Sequence, residues 1–443
     1  NMLTERAETE AIKIFAKNTE KLLMTPPVKG ARIIAIDPGF RTGCKVAVIN
    51  ETGKLLAYTT VYPTEPKRDV AGTEATLDKL IKKYHINTIV IGNGTAGRET
   101  EEVVASFLSK HKYDVQYTIV NEAGASVYSA SELAAKEYPD LDVTTRGAMS
   151  LGRRLQDPLA ELVKISPKSI GVGQYQHDIN QNALDGALKN VVENCVNRVG
   201  VDLNTASPSL LSYIAGINKT IADNIVKYRE ENGRFENRKQ LLKVAKLGPK
   251  TFNQCVGFMR IQDGANPLDA TSVHPESYEA ARKLLGKLGM EQSVIGKADA
   301  NIIDLKIKSL YKNEKKPVAT MARDLEIGEI TLSDIIEEIK KPARDPRDAA
   351  PPVIFRNDVK KFEDLKEGME LTGTVRNVVD FGAFVDIGIK NDGLVHISQL
   401  SDKFIKHPMD VVSVGDTVQV TIISIDREKE RVGLSMRRKG NAK

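Results

Sequence analysis

Apolar positions along the chain follow two different periods. At the start, Ile12, Phe15, Ala16 and Leu22 recur at helical spacing among charges over residues 3–24, and Pro26-Pro27 closes the run. This pattern predicts an amphipathic helix whose apolar face packs on a later domain, or on one outside this sequence. From residue 31 the pattern changes. Ala31–Asp37, Cys44–Asn50 and Lys54–Val61 read as three strands joined by short turns, an antiparallel meander. A helix at Thr73–Tyr84, a buried strand at Thr88–Ile91, a helix at Gly97–Lys110 and a strand at Val115–Val120 follow, with helices near Ala125–Lys136 and Arg146–Val163. Residues 187–340 read as helical with short glycine-containing turns. The chain ends in five short β-type runs separated by Gly and Asp turns: Glu370–Val379, Ala383–Ile387, Gly393–Ile397, Thr417–Asp426 and Arg431–Ser435.

The fold class is thus multidomain: α/β, then all-α, then a small all-β domain. Lys341–Pro352 holds four prolines and reads as an extended, semi-rigid spacer on which the last domain moves. The expected boundaries are 1–28 for the N-terminal helix, 29–165 for the α/β domain, 166–262 and 263–340 for two helical domains, 341–360 for the spacer and 361–443 for the last domain.

Composition narrows this picture. The 443 residues are 41% hydrophobic and 28% charged, which suits several globular domains with cores. No apolar run approaches the ~18 residues of a membrane span, and no signal peptide opens the chain. Asn1 before Met2 reads as a tag remnant, and the helical start reads as part of something longer. Three scattered cysteines without a CxxC give neither a zinc site nor a disulfide framework, and a reducing cytoplasm is expected. The net charge is only +5, yet Ser209–Gln262 carries ten Lys or Arg against four Asp or Glu. Such a stretch suits a polyanionic partner; the competing reading is a solvated helical surface.

Candidate chemistry is densest in the last domain. Phe381, Phe384 and His396 cluster at the second and third runs, with Arg376, Arg437 and Arg438 beside them. Rings on a barrel face stack on unpaired bases, at about 1–3 kcal/mol per base, and cations neutralise phosphates. Phe384, inside the alternating run Ala-Phe-Val-Asp-Ile, is also open to a core reading. The motif FGAFVD followed by GLVHIS resembles the S1-type RNA-binding domain, a five-stranded OB-fold β-barrel.

In the α/β domain, Asp37 ends the first strand in Ile-Ala-Ile-Asp-Pro-Gly. Glu122 follows the last strand in Thr-Ile-Val-Asn-Glu-Ala-Gly, and Asp157 lies in Arg-Leu-Gln-Asp-Pro-Leu-Ala. Three hairpin-linked strands followed by alternating helix and strand is the order of a ribonuclease-H-like fold. The segment resembles the YqgF branch of the RuvC-like nucleases. That family has acidic residues after the first strand, after the last strand and in a terminal Asp-x-x-Ala helix. The resemblance implies that Asp37, Glu122 and Asp157 converge as catalytic, Mg²⁺-binding carboxylates. Hard cations take oxygen ligands, and two metals about 3.5–4 Å apart hold the attacking and leaving oxygens of a phosphodiester. Two departures keep a degenerate site, retained for shape or binding, as the alternative. Asn-Glu-Ala-Gly stands where the stand-alone family has Asp-Glu-Arg, and Pro158 suits a first helical turn with Asp157 as its N-cap. Glu99, Glu101 and a phosphate-binding loop at Gly92-Asn93-Gly94-Thr95 are further candidates.

The turns Ile214-Ala215-Gly216-Ile217-Asn218 and Val244-Ala245-Lys246-Leu247-Gly248 recur 30 residues apart. They resemble a tandem helix-hairpin-helix domain, which binds DNA without sequence preference through turn amides. Lys219, Lys246 and Lys250 would add charge. Each turn lacks one glycine of the family's hydrophobic-x-Gly-hydrophobic-Gly pattern: Asn218 replaces the second in one, Lys246 the first in the other. Asn tolerates a positive φ moderately and Lys poorly, so a packing role stays open. Residues 267–340 look like a further hairpin relative, with His274 structural.

Arg153–Val163 and the run Ile170-Gly-Val-Gly-Gln-Tyr-Gln-His-Asp178, together with this domain order, resemble the Tex family of bacterial transcription accessory proteins. The resemblance covers essentially the whole chain, without the family's N-terminal helix-turn-helix region. It implies a cytoplasmic, monomeric factor that binds RNA or single-stranded DNA through the barrel, helped by the hairpins, and needs no cofactor to bind. Duplex DNA and the transcription or translation machinery are further candidate partners; a membrane is not. The alternative is a Mg²⁺-dependent nuclease or resolvase using Asp37, Glu122 and Asp157. His177 is either catalytic or orders an interdomain loop.

Overall fold

The computed structural model describes residues 2–171, 176–355, 362–389 and 391–437. The chain divides into two compact units, residues 1–188 with 350–443, and residues 189–349.

The first unit opens with α1 (Met2–Leu23), in which Phe15 and Leu23 are buried. A five-stranded sheet follows: β1 (Ile33–Asp37), β2 (Cys44–Ile49), β3 (Leu55–Val61), β4 (Thr88–Gly92) and β5 (Gln116–Val120), in the order β3-β2-β1-β4-β5. The first three strands pair antiparallel; β4 and β5 join β1 in parallel. Apolar runs in β1 and β4 follow from burial on both faces. On one face, α2 (Val70–Tyr84) and α3 (Gly97–His111) place Leu77, Ile81, Val104 and Phe107 against Ile34, Ile36, Ile89 and Ile91.

Beyond β5 come α4 (Ala125–Ser129), α5 (Glu132–Glu137), α6 (Val143–Gln156) and α7 (Pro158–Leu162). The helix expected at 146–163 is two helices. Pro158 cannot donate within a continuing helix, and Asp157 caps the second, accepting from Ala160 N–H at 3.1 Å. α6 lies on the other face of the sheet, with Leu151 and Leu155 against Ile33, Ala35 and Val90. It runs antiparallel to β1. A Cβ on Gly147 would sit 3.1 Å from Asp37 Oδ2, and one on Gly152 3.2 Å from Ala35 Cβ. Gln156 Nε2 donates to Ala31 O at 3.0 Å and Asn50 O at 2.7 Å.

The division between units falls within α8 (Gln181–Val199). The second unit holds β6 (Val201–Asp202), α9 (Pro208–Leu211), α10 (Lys219–Asn232), α11 (Pro249–Cys255) and β7 (Met259–Arg260), followed by α12 (Tyr278–Lys287), α13 (Ile303–Leu310), α14 (Pro317–Asp324) and α15 (Glu329–Lys340). β6 and β7 pair in parallel. Buried Arg238 donates to Met259 O and Val273 O, each at 2.8 Å, to Tyr278 OH at 2.8 Å and to Thr271 O. Tyr278 OH in turn donates to Asp269 Oδ1 at 2.5 Å. This fully buried network ties the hairpin region to the helices after it.

The barrel comprises β8 (Glu370–Val379), β9 (Gly382–Asp386), β10 (Gly393–His396), β11 (Thr417–Asp426) and β12 (Arg431–Ser435), closed in the order β10-β12-β11-β8-β9. Leu371, Val375, Ala383, Val385, Val395, Val420 and Leu434 fill it. In the described part of the spacer, Val353–Phe355 is seated on the α/β domain. Thr118 Oγ1 donates to Ile354 O at 2.8 Å, and Val353 and Phe355 pack on the core beside α6. Two ion pairs tie the barrel down: Arg98 Nη2 to Asp386 Oδ1 at 3.8 Å, and Lys21 Nζ to Asp416 at 2.7 Å. The barrel, expected to move as an arm, is docked in this structure, its acidic side chains meeting cations of α3 and α1. Among the described residues no helix is long and apolar enough to cross a membrane.

Candidate nucleic-acid interface

Strand alternation places the rings of the barrel. On β9, Ala383 and Val385 enter the core, so Phe384 between them points outward and is half-buried. This decides against Phe384 as a core residue. Phe381, in the β8–β9 turn, is 51% exposed and meets Phe384 edge-on, centroids 6.2 Å apart at 86°. Gly382 makes this turn possible, since a Cβ there would lie 2.2 Å from Val395 O. His396 pairs with Gly382 across β9 and β10 and is exposed. Its Nδ1 accepts from Ser398 N–H at 3.3 Å, which leaves Nε2–H as a donor on the neutral ring.

The cations differ in how free they are. Arg376 occupies a bulge opposite β9, and its Nη2 lies 2.7 Å from Oδ2 of Asp386, which is 1% exposed. Its charge is committed to a buried carboxylate that the sequence reading missed; the Asp closing the motif FGAFVD was the available signal. Arg437 is half-exposed, 3.6 Å from Asp402. Arg438 lies outside the described residues.

A cleft of about 610 Å³ separates Phe384 and Arg376 from the loop that starts α3. It is also lined by Arg98, Glu99, Glu101 and Asp392. Its charges are mixed, two arginines against three acids, and Gly92–Gly94 of the Gly92–Thr95 loop expected to bind phosphate border it. That loop grips Glu122: Asn93 Oδ1 accepts from Glu122 N–H at 3.0 Å, and the Glu122 carboxylate accepts from Gly94 N–H.

Asp37 and Glu122 do come together. Burial first, and the Glu122 charge second, push the Asp37 carboxyl up to about 6, with Lys45 opposing. Burial likewise raises Glu122, opposed by the Gly94 N–H and Arg154. Glu122 Oε2 is buried with no hydrogen-bond partner. Asp157 does not join them, which corrects the expected convergence. The antiparallel course of α6 puts Gly147 over Asp37, while Asp157 follows ten residues later, about 15 Å along the helix. Among the described residues, no three or more His, Cys, Asp and Glu side chains gather so as to hold a metal ion. The donors at this edge therefore do not fit the three-carboxylate Mg²⁺ set. His177 is exposed, and Val172–Tyr175 before it lie outside the described residues.

In the hairpins, Lys219 begins α10, Lys250 lies in the first turn of α11 and Lys246 lies in the turn before it; all three are exposed. Gly216 and Lys246 both adopt positive φ, +80° and +66°. Asn218 does not: at φ −99° it is the N-cap of α10, accepting from Ile221 N–H at 2.9 Å. Gly248 takes the equivalent extended position at φ −86°. Only the first glycine place of each turn needs a left-handed backbone. His274 Nδ1 accepts from Glu276 N–H at 3.2 Å, a cap within a turn.

The same segments match known families. The Tex protein YqgF-like domain family matches residues 31–156, the helix-hairpin-helix motif 196–260, the HHH domain 266–347 and the S1 RNA binding domain 364–437. Together they define a multidomain protein with an S1 RNA-binding barrel and nucleic-acid-binding hairpins. A Bacillus subtilis (strain 168) relative named Uncharacterized protein YdcI is 54% identical over 434 residues, 98% of this chain and 59% of its own length. Transcriptional accessory protein Tex of Neisseria gonorrhoeae is 48% identical over 439 residues, 99% of this chain and 56% of its own. S1 RNA-binding domain-containing protein 1 of Homo sapiens is 38% identical over 490 residues, 98% and 48%. The chain belongs to the Tex family. It spans about half the length of the curated relatives it matches.

Proposed function

We propose that the chain binds single-stranded RNA or DNA on the barrel and serves transcription as an accessory factor rather than cutting nucleic acid. The observation that carries this reading is the outward Phe381–Phe384 pair, held by strand alternation and a turn only glycine can make. Bases stack on the two rings, the His396 Nε2–H donates to a base or backbone acceptor, and Arg437 meets phosphate. Arg376, neutralised by Asp386, holds the platform in shape. Exposed Lys219, Lys246 and Lys250 supply a second, sequence-independent surface. The name of the Neisseria gonorrhoeae relative, Transcriptional accessory protein Tex, supports the transcriptional role.

The α/β edge offers two carboxylates with Lys45 beside Asp37, which favours binding over hydrolysis. The test is affinity of the whole chain for single-stranded RNA, single-stranded DNA and duplex across salt concentrations, with Mg²⁺ present. Single strands should bind more tightly than duplex, affinity should fall with salt, and all three should stay intact. Mg²⁺-dependent cleavage abolished by Asp37→Asn would overturn the binding-only reading.

A further inference from the structure

The loop between β10 and β11 plays no part in the reading so far. It carries Phe404, whose ring is 93% exposed, the barest large apolar side chain among the described residues. That exposure is not the product of a loose segment. Leu400 is buried, and Ile405, next to Phe404, packs against the barrel core. Lys403 N–H donates to Ser401 Oγ at 3.1 Å, and Asp402 lies 3.6 Å from Arg437 Nε. His407 and Asp410 close a reciprocal cap where the next turn begins. The loop is anchored on both sides of a ring that faces water.

Its neighbours select the partner. Lys403, Lys406 and His407 are exposed, and Arg437 reaches the same loop. A bare ring between ammonium groups suits a base and its phosphates. An apolar protein face would instead strip water from those ammoniums without replacing it. The loop also continues the surface already described. It leaves from the turn that His396 caps, and Gln399 O accepts from Met436 N–H at 2.9 Å, next to Arg437.

We propose that Phe404, with Lys403 and Lys406, is a further stacking subsite for a single strand, taking a base beyond those on Phe381 and Phe384. This rests on the barrel reading above and lengthens its footprint.

The chain has no tryptophan, so Phe404→Trp places a single fluorescent reporter in the loop. Oligouridylates of increasing length are titrated into the whole chain carrying this change, and affinities are compared with those of Phe404→Ala. Oligomers long enough to reach the loop should quench the reporter. Phe404→Ala should weaken those same oligomers about five- to 150-fold, the stacking of one base, and leave the shortest bound oligomers unaffected. Undiminished fluorescence with the long oligomer bound, or affinities unaltered by Phe404→Ala at every length, would overturn the subsite alone. No binding by the unsubstituted chain would overturn the barrel reading and this subsite with it.

Discussion

Asp37 shows what one buried carboxylate beside another does to a fold. Its ordinary value of 3.8 is raised to about 6 by burial and by Glu122, so the folded chain holds a proton that the unfolded chain has released. Across that window stability falls as pH rises; below both values the group contributes nothing. Asp37→Asn should therefore stabilise the chain by about 1–3 kcal/mol near about pH 7.5 and by almost nothing near about pH 4. Denaturant unfolding of both proteins at the two pH values checks this, and a difference independent of pH would contradict it. Asp37 and Glu122 were legible in the sequence because one ends a strand and the other lies two residues past one, and parallel strand ends share an edge. Asp157 was misplaced because a motif does not tell which end of a helix lies over which end of a strand. Phe384 was ambiguous for a related reason: alternation names two faces, and only the closed barrel says which is inside.

At the scale of elements, turn chemistry was the most legible layer. The five barrel strands begin and end within a residue or so of their expected positions, because Gly and Asp turns bound each run. The break between α6 and α7 was also present in the sequence, as Asp157-Pro158, although the apolar pattern ran across it. The hairpins taught the reverse lesson. A glycine pattern suggested two left-handed places per turn, whereas the second place is an extended N-cap. Asn218 there is an improvement on glycine, since its side chain holds Ile221 N–H. Asn218→Ala should cost about 1 kcal/mol and Asn218→Gly only a few tenths. Thermal unfolding ranks the two; a larger loss for glycine would mean that Asn218 is not acting as a cap.

At the scale of the whole molecule, each unit has its own fastening. Within residues 189–349, Arg238 is fully buried and bonded to three carbonyls and Tyr278. Arg238→Met leaves those three carbonyls and the Tyr278 hydroxyl oxygen without their donor and should cost about 3–5 kcal/mol, read as a lower denaturant midpoint for that unit; a loss below about 1 kcal/mol would show that the network is dispensable. Nothing in the sequence announced this residue, because an arginine in a basic stretch looks like surface. Within the other unit the barrel is docked partly by Lys21–Asp416, a half-exposed pair of the kind worth about 0–1 kcal/mol. Docking of this strength leaves the outward rings available to a strand. The central claim is that those rings bind nucleic acid, and the most direct measurement compares the whole chain with its Phe381→Ala/Phe384→Ala variant for affinity to a single-stranded oligonucleotide at fixed salt. Loss of two stacked bases should weaken binding by at least about 30-fold with the fold intact by circular dichroism; an affinity within about two-fold of the unsubstituted chain, less than the stacking of even one base, would contradict the account.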